Sequence, residues 1–196
     1  RPPRSTLFPY TTLFRSDPES REAFECLEGI VPKHVFEPIE TAAARVRETV
    51  ASGRLAMTEL PLPFKVAWHL RGMENLFLDF LAYPDFAHAL YDRLYAHFTE
   101  AAVQAARAGT ELIMLVGDIA SQTGLLFSHE IFATFEKPRL KRLVEAARAA
   151  SPLERLYFFY HSDGNMAAVL PDFVADLGFD VINPIQPECM DPYAVK

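Results

Sequence analysis

The sequence predicts an α/β protein, part of a (β/α)8 TIM barrel, on three observations. Short apolar runs of strand type near residues 57, 114, 158 and 181 alternate with longer segments of helical period, as repeated βα units do. Polar residues gather where successive runs end: Gly117-Asp118, His161-Ser162-Asp163-Gly164-Asn165 and Asn183-Pro184-Ile185-Gln186. Ligands of parallel barrels bind at the carboxyl ends of the strands, which favours a barrel over a doubly wound sheet. No GxGxxG or GxxxxGKS segment follows any of the runs, so neither a dinucleotide nor a P-loop nucleotide site is expected.

Composition narrows the class further. With 196 residues, 50% hydrophobic content and a formal charge of −7, the chain suits one globular domain and is too acidic for generic nucleic-acid binding. It reads as soluble, with neither a nucleic-acid nor a membrane partner. Cys26 and Cys189 stand far apart without a CxxC spacing, as expected of two reduced thiols in a cytoplasmic protein. Residues 1–16 have no helical or strand period, and Thr6 to Ser16 resemble the in-frame translation of a sequencing-library adapter, so the segment is set aside as non-native. Without Arg1, Arg4 and Arg15 the formal charge is −10. Residues 17–63 are expected to lead into a barrel domain over 64–196. The run Met190 to Lys196 reads as the first turn of a helix, so the sequence is expected to be a fragment truncated at both ends.

Taken in order, a helix is possible over Glu19 to Glu28, between Pro18 and Pro32, and a better one over Glu37 to Ser52, with Ala42, Ala43, Val46 and Val50 on one face and Gly53 at its end. Leu55 to Glu59 reads as a strand, and the apolar segment Phe64 to Leu81 is broken at Gly72. The clearest helix covers Asp85 to Ala108, where Phe86, Leu90, Leu94, Phe98, Ala102 and Ala105 form a core-facing stripe. Glu111 to Val116 reads as a buried strand. Ser128 is a fair N-cap for a helix through Phe135, and Pro138 predicts a kink or restart before a buried face of Leu140, Leu143, Val144 and Ala147. Lys137, Arg139, Lys141 and Arg142 are expected on the solvated side. Strands over Leu156 to Tyr160 and Phe179 to Ile182 flank a helix over Met166 to Leu177 that is interrupted at Pro171.

If the strands are neighbours, their ends bring Asp118, His161, Asp163, Asn183 and Gln186 around one mouth. An imidazole beside carboxylates can bind a divalent metal through nitrogen and oxygen, with His161 and Asp163 as ligands. The same groups can act as acid and base, and the residues alone leave both open. Blander readings stand beside these: His161 as a structural hydrogen-bonded residue, Asp163-Gly164-Asn165 as a turn with Asn165 at a helix N-cap, Asp118 capping the next turn, and Gln186 facing solvent. Arg71, before Gly72, either clamps a substrate carboxylate in two-pronged fashion or lies on the surface. The other histidines, His34, His69, His88, His97 and His129, lie in helical or terminal positions and are weaker candidates.

Five segments in order resemble the uroporphyrinogen decarboxylase superfamily: Phe64-Lys65-Val66-Ala67-Trp68-His69-Leu70-Arg71-Gly72; Gly117-Asp118; Ser128 through Lys137-Pro138-Arg139-Leu140-Lys141-Arg142-Leu143; His161-Ser162-Asp163-Gly164-Asn165; and Asn183-Pro184-Ile185-Gln186-Pro187. The resemblance covers Phe64 to Lys196 and implies a (β/α)8 barrel. It also implies one of two chemistries. Decarboxylases of this kind remove acetate carboxylates from a tetrapyrrole in porphyrin biosynthesis without a cofactor, using an aspartate on the pyrrole nitrogens, a role open to Asp118, and arginines on the side-chain carboxylates. Related methyltransferases act with a corrinoid, in some cases on a corrinoid protein, and use zinc held by a histidine and cysteines to activate a thiol acceptor. Asp163 stands where the methyltransferase pattern His-x-Cys-Gly has cysteine, and a carboxylate is a harder ligand than a thiolate.

The segment His161 to Asn165 is nearer the methyltransferase pattern, so the resemblance favours the methyl-transfer branch over decarboxylation. A corrinoid-binding paralogue without catalysis is the third expectation. About half a barrel leaves two sheet edges uncovered, so the isolated chain is expected to aggregate rather than to turn over substrate.

Overall fold

In the computed structural model, which describes residues 17–18 and 38–195, the strands join in a four-stranded parallel sheet of order β1-β2-β3-β4. They are β1 (Met57–Pro61), β2 (Leu112–Val116), β3 (Tyr157–His161) and β4 (Val181–Asn183). Each strand pairs with the next one in the sequence, as in a barrel. A doubly wound sheet would reverse direction at a switch point. Residues 1–16, the possible helix Glu19 to Glu28, Cys26 and His34 lie outside the described residues.

The two faces of the sheet differ, and the difference places the site. Ile113, Leu115, Phe158 and Tyr160 are buried, because their face is covered by helices. The guanidinium of Arg148 lies over the Phe158 ring, and Tyr160 packs on Phe173 with ring centroids 4.3 Å apart. Side chains alternate along a strand, so the intervening positions point the other way. Register aligns that second set in rows, the last being Pro61, Val116, His161 and Asn183. His161 thus closes β3 beside Asn183 on the uncovered face.

The helices follow their sequence signals. Helix α1 spans Ile39–Ala51, and Gly72 at φ 83° divides the apolar segment into α2 (Pro63–Arg71) and α3 (Met73–Ala82). Helix α4 (Pro84–Arg107) buries Phe86, Leu90, Leu94, Phe98 and Ala102 in the core. The short helix α5 (His129–Ile131) is capped by the Ser128 hydroxyl, which accepts the Ile131 N–H at 3.2 Å. It runs through a π-helical turn at Phe132–Glu136 into α6 (Lys137–Ala150), which packs extensively on α4. The expected restart is found: α6 begins at Lys137 after the widened turn, with Pro138, which has no N–H to donate, in its first turn. Pro171 stands likewise just before a second π-helical turn, Asp172–Asp176. A last short helix, α7, covers Pro192–Val195.

Two strand boundaries and one helix face are corrected. Strand β1 starts at Met57 because the Ala56 N–H bonds the Glu111 carboxylate at 2.9 Å, and it continues through Pro61 because an edge strand tolerates a missing donor. Strand β4 starts at Val181 because the Asp180 carboxylate takes the Phe158 N–H at 2.9 Å. On α6, Lys141 and Arg142 are exposed as expected, but Arg139 is buried. It donates to Asp92 at 2.7 Å and to the Phe135 carbonyl at 2.9 Å. Lys137 bridges Asp172 and Asp176.

Candidate functional site

Asp118, His161 and Asp163 converge beyond the ends of β2 and β3. Each offers a ligand atom, and the three atoms lie within 4.8 Å of one another. Asp118 and His161 are half-buried and Asp163 is exposed, so the group opens to solvent on one side. Among the described residues neither carboxylate has a lysine or arginine partner, which makes the cluster attractive to a cation.

The scaffold is made largely of backbone groups. The Gly117 N–H donates to the His161 carbonyl at 3.0 Å, extending the β2–β3 ladder to the residue before Asp118. Asp118 Oδ1 accepts the Asp163 N–H at 3.0 Å and so ties the two loops together. From the covered side of the sheet, the Tyr160 hydroxyl donates to the Gly117 carbonyl at 2.9 Å. Burial above all, and then the charges of Glu136 and Asp118, push the Tyr160 phenol well up, so it stays a donor.

Glycines set the close approaches. Gly164 has φ +90°, and a Cβ there would meet the Ser121 carbonyl oxygen at 2.5 Å. This tight passage lets the Asn165 N–H donate to that same oxygen at 2.7 Å. At Gly117 a Cβ would strike Leu62 Cβ at 2.5 Å.

Asn183 and Gln186 also reach the cluster. Asn183 Oδ1 lies 2.9 Å from His161 Nδ1, and Gln186 Nε2 donates to Asp163 Oδ1 at 3.3 Å. Gln186 Oε1 accepts the Gly164 N–H at 2.8 Å and the Cys189 thiol at 3.4 Å. Gln186 is half-buried and engaged, which corrects the reading that it merely faces solvent. Asn165 Oδ1 accepts the Ala167 N–H at 3.1 Å, as a capping side chain does.

Arg71 is placed in the helix layer and buried, which corrects the surface reading. Its Nε donates to Asp79 at 2.6 Å and its guanidinium lies over the Phe86 ring. Burial raises the Asp79 carboxyl above its ordinary value although Arg71 opposes the shift.

Two features escaped the sequence reading. Ser162 is fully buried, and its hydroxyl accepts the Ile119 N–H at 3.1 Å and donates to the Asp163 carbonyl at 3.0 Å. Its signal was a small hydroxyl between two polar site residues. Behind the sheet, buried Glu136 accepts the Tyr95 hydroxyl, while its Oε1 and the Tyr91 hydroxyl find no hydrogen-bond partner among the described residues. The signal there was a carboxylate on an apolar helical stripe, four residues after Phe132 and four before Leu140.

Comparison with known proteins agrees with this architecture. Residues 12–186 match the family uroporphyrinogen decarboxylase (URO-D). No curated protein sequence matches the chain. A methyltransferase from Methanosarcina mazei superposes with a TM-score of 0.58 at 21% identity, over 74% of this chain and 40% of that one. The chain spans about two fifths of that structure's length, and the likeness establishes the fold. Among the described residues no helix is long and apolar enough to cross a membrane.

Proposed function

Because the chain belongs to the uroporphyrinogen decarboxylase family, we propose that its strand-end site serves the methyl-transfer branch, acting with a corrinoid or another tetrapyrrole. One observation carries the reading: an imidazole and two carboxylates, unpaired with cationic side chains among the described residues, offer donor atoms within 4.8 Å of one another. That set fits a single divalent ion, with His161 and Asp163 as ligands and Asp118 as a third donor. It is a harder set than one containing thiolate, since Asp163 replaces sulfur by oxygen. Zinc, when bound, would supply a Lewis acid that holds an acceptor thiol in its thiolate form.

The protein's own part is placement. Asp118 fixes the β3 loop through the Asp163 N–H, and Ser162 braces that loop from below. Asn183 and Gln186 are assigned to the substrate side of the mouth, whereas Arg71, buried and paired with Asp79, belongs to the scaffold and not to substrate binding. The protein is read as a cytoplasmic enzyme with no nucleic-acid or membrane partner.

The test is methyl transfer from a methylcorrinoid to a small thiol by full-length protein supplied with Zn2+, followed by the corrinoid's visible spectrum. Transfer that disappears in His161→Ala/Asp163→Ala is the expected result. Absence of both transfer and retained metal would sink the reading. Carbon dioxide release from uroporphyrinogen in the absence of metal would assign the decarboxylase chemistry instead. Corrinoid binding that is unchanged in the double variant, with no turnover, would mark a binding paralogue.

A further inference from the structure

We propose that Asn183 and Gln186 are positioning residues: from the end of β4 and the segment that follows it, they fix the ring tautomer of His161 and the rotation of the Asp163 carboxylate. The purpose of this arrangement rests on the metal reading above, but its geometry stands without it.

The His161 end follows from donor and acceptor chemistry. With the Asn183 amide set oxygen-first toward the ring, Oδ1 lies 2.9 Å from Nδ1, and because an amide oxygen only accepts hydrogen bonds, this orientation pairs with a neutral ring protonated on Nδ1. The lone pair is then on Nε2, on the far side of the ring from the amide. A neutral imidazole without such a neighbour is free to place its proton on either nitrogen, and the Nε2–H form has no lone pair there to give a cation. Register makes the contact reproducible, because His161 and Asn183 are paired positions on β3 and β4, and the Asn183 carbonyl accepts the Ser162 N–H at 3.0 Å.

At the Asp163 end a single amide is used at both of its atoms. Its oxygen takes the Gly164 N–H at 2.8 Å, which only an acceptor can do. The amide nitrogen must therefore face the other way, where it donates to Asp163 Oδ1 at 3.3 Å. Flipping Gln186 would break both contacts and set its NH2 against a backbone N–H. The carboxylate is held by one oxygen, and its rotation is restricted before any ligand enters. Asn183 is exposed and Gln186 half-buried, so substitution acts on the site more than on the core.

The experiment reads the tautomer directly in metal-free protein. Long-range 1H–15N correlation spectra of 15N-histidine-labelled full-length protein are recorded at a pH well above the ordinary imidazole range. The wild type is expected to show His161 protonated on Nδ1. Asn183→Ala is expected to shift the ring toward the Nε2–H form, and Asn183→Asp, which keeps an acceptor, to restore the Nδ1–H form. An Nε2–H ring in the wild type, or an unchanged ring in Asn183→Ala, would overturn the assignment.

Zn2+ titration of the same proteins supplies the second arm. Asn183→Ala and Gln186→Ala are expected to weaken binding by about 10- to 100-fold, the usual effect of removing a group that orients a ligand. Asn183→Asp is expected to rescue, whereas Gln186→Glu, which sets a negative charge against Asp163, is not. Equal Zn2+ affinity in wild type and both alanine variants would defeat the positioning role while leaving the metal site standing. A wild type that binds no Zn2+ but shows the expected tautomer pattern would defeat the metal reading and leave the positioning role standing.

Discussion

Glu136 gives the most quantitative prediction about the fold. Its carboxyl is fully enclosed between α4 and α6, and burial raises it from 4.5 to about 7 although the hydrogen bond from Tyr95, the nearby Tyr91 hydroxyl and the charge of Arg139 pull the other way. The folded state therefore holds this proton more tightly than the unfolded chain does. The stability it contributes is complete below 4.5 and is lost as pH rises to about 7, above which the dependence levels off. At about 1.4 kcal/mol per pH unit, that interval corresponds to roughly 3 kcal/mol. Glu136→Gln imitates the protonated acid, keeping an oxygen for Tyr95 and adding a donor near Tyr91. The variant should lose this pH dependence and exceed the wild type by roughly 3 kcal/mol at the alkaline end of the interval. Urea unfolding of full-length protein across that range measures both curves. Parallel curves, or a wild type that gains stability through the interval because of Glu136, would refute the reasoning.

Three further substitutions follow from the geometry. Gly164→Ala combines a positive φ with a Cβ 2.5 Å from a backbone oxygen, so it should cost more than about 2 kcal/mol in urea unfolding; a loss below about 0.5 would contradict the clash. Gly117→Ala meets Leu62 Cβ at 2.5 Å and should cost a comparable amount, while the companion Leu62→Gly, which removes that Cβ, should relieve part of it in a double-mutant cycle; strict additivity would show that the contact is not the cause. Asp79→Ala removes the buried partner of Arg71 and should cost about 3–5 kcal/mol by the same assay, with a change under about 1 counting against a buried ion pair.

The sheet and most of the site were legible because they rest on short-range pattern. Apolar runs near residues 114 and 158 became β2 and β3, and the polar residues at their ends met because parallel pairing aligns those ends. Strand edges were less legible where a side chain took a ladder bond, as Glu111 does at Ala56 and Asp180 at Phe158. Arg139 and Glu136 were misread or missed for one reason. Both are charged residues on a face that packs against α4, and their partners Asp92 and Tyr95 lie more than forty positions away. Binary patterning assigns charge to solvent unless such a partner is known. Ser162 was passed over because its role depends on the loop after β2, which brings the Ile119 N–H to it.

Metal retention tests the central claim most directly. Full-length protein is loaded with Zn2+, dialysed, and measured by inductively coupled plasma mass spectrometry beside the triple variant Asp118→Asn/His161→Ala/Asp163→Asn. The expected result is about one ion per chain in the wild type and almost none in the variant. A wild type without metal, or equal retention in both proteins, would contradict a metal centre at the ends of β2 and β3.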